Sequence, residues 1–137
     1  MKIIRKEELD KALNKEFRQY LTGHLSRPQP FLQHIEDDIE VGISYYKEFT
    51  ADTPHVHPIA TEHVYVLEGS IKVKLLDGSN REEVINNGDF FVFSPGVPHA
   101  TKNTANTKVL FIKSPGGNDK TLVEIDESTK KWLKTWD

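Results

Sequence analysis

Three imidazoles and one carboxylate lie within about a third of the sequence, at spacings that suit metal ligation. His55 and His57 are separated by one residue, Glu62 follows shortly after, and His99 closes a proline- and glycine-rich turn. Imidazole and carboxylate groups bind divalent transition metals such as iron, zinc, nickel, manganese and cobalt. The sequence therefore predicts a metal site formed by His55, His57, Glu62 and His99, with the identity of the metal left open.

The turn after His57 allows the carboxylate to join the histidines. Side chains alternate between the faces of a strand, so His55 and His57 point the same way, whereas Glu62 stands at an odd offset from both. Pro58 lacks a backbone N–H and tends to end a strand. We therefore expect a turn over residues 58–61, after which Glu62 opens a new strand facing the histidines. One histidine alone would be interpreted as a surface residue; the four residues together favour a metal site.

The same residues resemble the two sequence motifs of the cupin family, small β-barrel proteins whose usual metal ligands are three histidines and one glutamate. The matching positions are His55, His57, Glu62, Gly69, Gly88, Pro95, His99 and Asn103. Two positions depart from the motifs: Phe49 stands where the first opens on a glycine, and Gly96 follows Pro95 one residue early. The resemblance implies an antiparallel barrel, the four-residue ligand set and, often, a dimer.

The remaining pattern is mostly that of short strands. From Ile39 to about Phe49 apolar and polar residues alternate, and Asp77-Gly78 and Asn87-Gly88 mark turns. We expect an all-β fold, an antiparallel β-barrel or jelly-roll sandwich, with an N-terminal helix and a short C-terminal helix. As one domain, residues 1–38 would pack on a barrel of residues 39–126, followed by a helix within residues 127–137.

Both predicted helices have definite boundaries. Leu9, Leu13, Phe17 and Leu21 recur every four positions, which predicts a helix over residues 6–22 with Gly23 at its C′ position. Residues 24–38 form an irregular connector that would drape over the barrel mouth. Ser128 is the expected N-cap of the C-terminal helix. Its two tryptophans are expected to pack against the sheet.

Composition excludes several classes of protein. The chain has no cysteine, a formal charge of −3 and no basic block, so neither a thiolate site nor a nucleic-acid partner is expected. No apolar run approaches the length of a membrane span or a secretory signal, which favours a cytoplasmic protein with no membrane partner. Residues 64–67 and 90–93 are apolar on both faces, which favours a homodimer that covers the second face.

Other residues near the predicted site are assigned lesser roles. His63 would face away from the metal, His24 and His34 would be solvated, Asp89 would bind turn donors, and Asn103 would support the turn or the ligands. Pocket-lining candidates, depending on strand register, are Tyr45, Tyr46, Phe91, Phe93 and Lys113. No nucleophile–base pair stands out, so the catalytic residues are unknown at this stage.

Three functions fit a predicted metal site of this kind. The first is a metal-dependent enzyme acting on a small polar molecule, as a dioxygenase or as an isomerase, epimerase or lyase. The second is a non-enzymatic small-molecule binder or sensor, and the third is an interaction protein with a structural metal. Because each histidine must be neutral to bind, metal affinity is expected to fall below about pH 6.

Overall fold

The amino-terminal helix is shorter than the sequence predicts. The computed structural model, which describes residues 1–31 and 33–137, places helix α1 at Lys6–Lys15. The backbone N–H of Arg5 donates to the Glu8 carboxylate at 3.1 Å, at the start of this helix. The backbone is already extended at Glu16, with φ −134° and ψ 143°. The predicted N-terminal helix is therefore confirmed from Lys6, whereas its continuation from residue 16 to residue 22 and Gly23 as its C′ residue are wrong.

The residues after Glu16 form a strand instead. Strand β1, Arg18–Thr22, pairs antiparallel with β2, Glu40–Tyr46. The four-residue spacing of Phe17 and Leu21 fits a helix, but pairing with β2 bonds the backbone into a sheet and leaves Phe17 53% exposed. This change of element brings Arg18 to the barrel cavity. The following connector is irregular apart from a bridge between Thr22 and His34, and its Leu32 lies outside the described residues.

The described residues form two antiparallel sheets. The first has the order β1-β2-β10-β5-β8 and the second the order β11-β4-β9-β6-β7, with β3 also paired to β9. The later strands are β3 Thr50–Ala51, β4 His55–Val56, β5 Thr61–Glu68, β6 Ser70–Leu75, β7 Glu82–Asn86, β8 Phe90–Phe93, β9 His99–Asn103, β10 Thr107–Ser114 and β11 Thr121–Leu122. The predicted all-β jelly-roll architecture with two short helices is confirmed.

The core lies between the two sheets. Its buried side chains are Tyr46, Val64, Val66, Ile71, Val73, Phe93, Val109 and Phe111. Fully burying a side chain such as Val66 contributes about 1.5–3 kcal/mol. The Phe93 ring also stacks on His99, with the ring centres 3.6 Å apart. The apolar core therefore supports one of the candidate ligands directly.

Strand β2 keeps the predicted alternation but buries the opposite set of residues. The fully buried positions are Glu40, Gly42, Ser44 and Tyr46, whereas the apolar residues between them are only half-buried. Gly42 is required here because a Cβ would overlap the ring of Phe111. The strand also ends at Tyr46, three residues before the predicted end.

The outer face of the five-stranded sheet remains apolar and exposed. Tyr65 on β5 is 41% exposed, and Phe90 and Val92 on β8 are 58% and 43% exposed. Their strand neighbours Val64 and Phe93 point into the core. The sequence pattern of residues 64–67 and 90–93 therefore reflects strands with an apolar residue on each face.

The carboxyl-terminal helix packs on the second sheet. Helix α2 is Glu127–Trp132, and the Asp126 side chain accepts the N–H of Thr129 at 2.7 Å, so the prediction of Ser128 as N-cap is wrong. Lys102 of β9 lies 4.1 Å from the ring centre of Trp132 and donates to its backbone oxygen at 2.7 Å. The predicted packing of Trp132 against the sheet is confirmed.

None of the helices in the described part of the chain combines the length and the apolar character needed to cross a bilayer.

Substitution of Gly69, between β5 and β6, tests how closely the backbone approaches Thr107 of β10. The φ of Gly69 is +79°, and a Cβ would overlap Thr107, whereas Gly78 has φ +92° with open space around it. Gly69→Ala should lower the free energy of unfolding by about 2–5 kcal/mol, from the backbone strain plus the clash. Gly78→Ala should lower it by about 1–2 kcal/mol, from strain alone. Urea unfolding measures both; equal losses would contradict the predicted clash.

Candidate metal centre

Strand ends bring three of the four predicted ligands together, His55, Glu62 and His99, whereas His57 lies beside this group and contacts it through Glu62. His55 on β4 pairs directly with His99 on β9, and Glu62 lies on β5. One ligand atom each from His55, Glu62 and His99 lie within 4.8 Å of one another. His57 follows β4, and its Nε2 is 3.0 Å from Glu62 Oε2. The turn at Pro58 thus places the Glu62 carboxylate against the histidines.

All three histidines engage Nδ1 in a hydrogen bond. His55 Nδ1 bonds to the backbone oxygen of Thr53 at 2.7 Å, and His99 Nδ1 bonds to the backbone oxygen of Val97 at 3.0 Å. His57 Nδ1 bonds to Asp119 Oδ1 at 2.8 Å. Carbonyl and carboxylate oxygens only accept, so each Nδ1 carries a proton. This leaves Nε2 of His55 and His99 free to bind a metal, whereas Nε2 of His57 would have to exchange its 3.0 Å contact with Glu62 for the metal.

Burial lowers the pKa of two histidines of the site, whereas a hydrogen bond raises the pKa of the third. Desolvation lowers the pKa of His99 to about 4 and also lowers the pKa of His55. The hydrogen bond to Glu62 raises the pKa of His57 against the effect of burial, with a further contribution from Asp119. His99 and His55 therefore bind a cation without first losing a proton at neutral pH, whereas the hydrogen bond to Glu62 favours the protonated form of His57.

Asp119 is a residue of the site that sequence reasoning missed. Besides contacting His57, its Oδ2 accepts the backbone N–H groups of Ile59 and Ala60, both at 2.8 Å. Burial opposes its ionisation, but these donors and His57 lower its pKa to about 2. Asp119 is 57 positions beyond Glu62 in a glycine-rich loop, so no spacing in the sequence connects it with the ligands.

A small cavity adjoins the ligands and carries charges of both signs. This cavity, which we call the cationic cavity, has a volume of about 50 Å³ and is lined by Arg18, Asp52, His55, His57, Glu62, Phe111, Lys113 and Lys120. A second cavity of about 50 Å³, toward the core, shares Arg18, Asp52, His55 and Glu62 with it. Of the three cations that line this cavity, the sequence indicated only Lys113 as a lining candidate. It placed Arg18 in a helix and gave no role to Lys120.

The other assigned residues lie largely where the sequence places them. His63 stacks on Phe90 of β8, away from the ligand group. His24 and His34 are exposed and pair with Asp37 and Glu36. Asp89 accepts the N–H of Asn86 at 2.8 Å, Asn103 donates to Thr50 O at 3.3 Å, and Tyr45 contacts Asn106 outside the cavities. Tyr46, Phe91 and Phe93 line the inner cavity.

The proton favoured on His57 predicts a pH dependence of metal binding. Because its pKa is raised above 6.5, an ion that takes Nε2 must displace that proton. Below the raised pKa, affinity should fall about tenfold per pH unit. Calorimetry in buffers of different ionisation enthalpy should detect more than half a proton released per ion near pH 6.5, rising toward one at lower pH. A release of two or more protons would contradict the lowered pKa of His99 and His55.

The same shifts set the stability of the metal-free fold. His57, whose pKa is raised, stabilises the fold below pH 6.5, and this contribution is lost as pH rises through its folded pKa. His99, whose pKa is lowered, contributes above pH 6.5, and this contribution is lost as pH falls toward about 4.

An antiparallel jelly roll with a histidine–glutamate group defines a class of barrel able to hold a metal ion at its centre. Residues 45–113, about half of the chain, match the family model described as the cupin domain. The chain belongs to the cupin family.

Known proteins resemble this chain over different lengths. Germin-like protein 5-1 of Oryza sativa subsp. japonica is 40% identical over 63 residues, which is 44% of this chain and 28% of that protein. The chain thus spans less than a third of this relative. The crystal structure of BH2720 from Bacillus halodurans superposes with a TM-score of 0.62 at 19% identity, covering 90% of this chain and 89% of that one. The crystal structure of DMSP lyase DddQ from Ruegeria pomeroyi DSS-3 superposes with a TM-score of 0.58 at 18% identity. The match covers 77% of this chain and 50% of that one. At these identities the structural likeness shows the fold.

Proposed function

We propose that this cupin is a metal-dependent enzyme acting on a small polar molecule, with His55, His57, Glu62 and His99 as the ligands of a divalent transition metal. The observation that carries the proposal is the pattern of Nδ1 hydrogen bonds, which directs all three Nε2 atoms away from the backbone, with the His57–Glu62 contact to be exchanged for bonds to the metal. Three nitrogen donors with one oxygen donor suit iron, zinc, nickel, manganese or cobalt.

The cavities beside the ligands favour a catalytic over a structural metal. A structural site is closed by its protein ligands, whereas a catalytic one leaves a position for substrate or water. Here two cavities of about 50 Å³ are each lined in part by His55 and Glu62. A metal at this position would supply Lewis-acid polarisation of a bound oxygen. Asp52 and Lys113 line the cationic cavity and would contact a molecule bound there.

The reaction class is a lyase, isomerase or epimerase, or a dioxygenase if the metal is iron. The cupin fold supports many chemistries, so the fold itself does not choose among them. DMSP lyase DddQ, which shares the fold at 18% identity, shows that a lyase has been built on this architecture. In the alternative, the metal anchors a ligand without turnover, and the protein is a binder or sensor.

Metal analysis followed by turnover assays tests this function. Protein purified without a chelating column should hold close to one ion per chain after loading with Fe²⁺, Zn²⁺, Ni²⁺, Mn²⁺ or Co²⁺. It should then convert at least one member of a panel of small acids, diols and sugars. Binding without turnover would support the sensor instead, and unfolding on removal of the metal would support a structural ion. The absence of stoichiometric metal would overturn all three.

We also propose that the protein is a homodimer through the outer face of the five-stranded sheet. Tyr65, Leu67, Phe90 and Val92 are between 37% and 58% exposed on adjacent strands β5 and β8. Exposed apolar patches of this kind mark association surfaces in soluble proteins. Light scattering at micromolar concentration should give twice the chain mass of 15.7 kDa, and the mass of a single chain would overturn the dimer.

A further inference from the structure

Arg18 lies beside the metal ligands, and Asp52, which lines the same cavity, is a carboxylate whose charge acts on it without a direct ion pair. Its Nε donates to Ser44 Oγ at 2.9 Å and its Nη2 to Tyr46 OH at 3.2 Å. Its guanidinium lies 5.5 Å from the ring centre of Phe111. Within the described part of the chain, Arg18 forms no ion pair, although charges in partly dry surroundings are usually paired. A guanidinium has five N–H donors, so the two bonds leave further donors for a ligand.

The other two cations of the cationic cavity, Lys113 and Lys120, are less suited to bind a ligand. Lys113 Nζ lies 3.7 Å from Glu40 Oε1 and 3.4 Å from Tyr20 OH, so its charge is already balanced by the protein. Lys120 is exposed at the rim of the cavity. Arg18 is therefore the cation best placed to bind a ligand away from bulk water, and Lys120 adds long-range attraction.

The charge balance around the ligands calls for one negative charge. Three cationic residues line the cavity, and four carboxylates offset them: Asp52 and Glu62 in the lining, Glu40 on Lys113 and Asp119 on His57. With neutral histidines this protein group carries −1, and a divalent metal changes the total to +1. One monoanion would neutralise it.

We propose that the cationic cavity binds a small carboxylate, with its carboxylate group on Arg18 and a second oxygen directed toward His55 and Glu62. The inference rests on the proposed metal-dependent function and names its substrate class. A planar guanidinium matches a carboxylate through two parallel hydrogen bonds. A cavity of about 50 Å³ accommodates only a few water-sized positions, so the acid has few heavy atoms, as in short hydroxy acids or diacids.

Matched acid and amide probes test the proposal. Glycolate and malonate are titrated by calorimetry into metal-loaded protein, alongside the neutral amides glycolamide and malonamide. Wild-type protein should bind each acid at least about tenfold more tightly than its amide, because only the acid forms charge-assisted bonds with Arg18. Arg18→Gln should remove this preference without changing the metal content. Arg81→Gln, at an exposed arginine bonded to Glu83 at 2.9 Å, should leave the preference unchanged.

If circular dichroism shows that Arg18→Gln is unfolded, two further variants keep the test decisive. Arg18→Lys retains the charge but loses the planar pair of donors, so it should bind the acids more weakly than wild type. Lys120→Gln, on the surface, should weaken the acids by no more than about fivefold and reduce the salt dependence of binding. Acid affinities unchanged in Arg18→Lys would count against the assignment of Arg18.

Metal analysis of the same samples separates the two proposals. Protein that holds one ion per chain but binds acid and amide equally would overturn the carboxylate assignment and leave the proposed function standing. Unchanged acid affinity in folded Arg18→Gln would have the same effect. Protein that takes up no ion would overturn both.

Discussion

His99→Gln should lower the affinity for a divalent metal by more than about a hundredfold. Loss of a group that merely orients a ligand lowers metal affinity by about 10–100-fold, and removal of a direct donor has a larger effect. His99 is 2% exposed, its Nδ1 is bound to Val97, and its low pKa of about 4 keeps Nε2 free of a proton at neutral pH. Glutamine fills a similar volume against Phe93, so the fold should survive the change.

His63→Gln is the matched control. His63 directly follows Glu62 in the chain but stacks on Phe90 on the other face of the strand. Competition with a metal-sensitive chelating dye measures both variants, with circular dichroism to verify folding. A folded His99→Gln protein that binds metal as wild type does would remove His99 from the ligand set, and so would an equal loss in His63→Gln.

Asp119→Ala should lower metal affinity by about 10–100-fold although Asp119 is not proposed as a ligand. Its carboxylate holds His57 through Nδ1 at 2.8 Å and anchors the turn through the N–H groups of Ile59 and Ala60. Without it, His57 loses both its fixed orientation and part of the cause of its raised pKa. Fewer protons should therefore be released on metal binding near pH 6.5 in the variant than in wild type.

Asp89→Ala is the matched control for Asp119→Ala. It removes a carboxylate that holds a turn but does not position His57. Asp89 also accepts a backbone N–H at 2.8 Å, from Asn86, but contacts no metal-site histidine. It should leave both metal affinity and proton release unchanged. Asp119→Asn, which retains an acceptor oxygen without the charge, should fall between wild type and alanine. Proton release equal to wild type in Asp119→Ala would show that this residue acts only on the turn.

The local part of the site could be predicted from the sequence. Pro58 indicated the turn that brings Glu62 back to the histidines, although β4 ends at Val56 and His57 follows it rather than lying on the strand as predicted. Glycines near turns indicated where strands end, and the alternating segments indicated an antiparallel sheet. These features depend on a few neighbouring residues, which is why the fold class and the grouping of His55, Glu62 and His99 were accessible.

The surroundings of the ligands depended on tertiary pairing. Phe17 and Leu21 have a spacing typical of a helix, and only the hydrogen bonds of β1 to β2 decide for a strand, which carries Arg18 to the cavity. Asp119 reaches His57 across a long loop whose course no local pattern specifies. Strand β2 likewise buries Glu40 and Ser44, where Glu40 lies 3.7 Å from Lys113 and Ser44 accepts a hydrogen bond from Arg18.

Anomalous diffraction from crystals of metal-loaded protein, recorded on both sides of the metal absorption edge, tests the central claim most directly. We expect one peak per chain at about 2.0–2.2 Å from Nε2 of each histidine and from a carboxylate oxygen of Glu62, with the His57–Glu62 hydrogen bond replaced by two metal bonds. The histidines concerned are His55, His57 and His99. A peak bound elsewhere on the chain, or His57 still bonded to Glu62 with no peak beside them, would contradict the account.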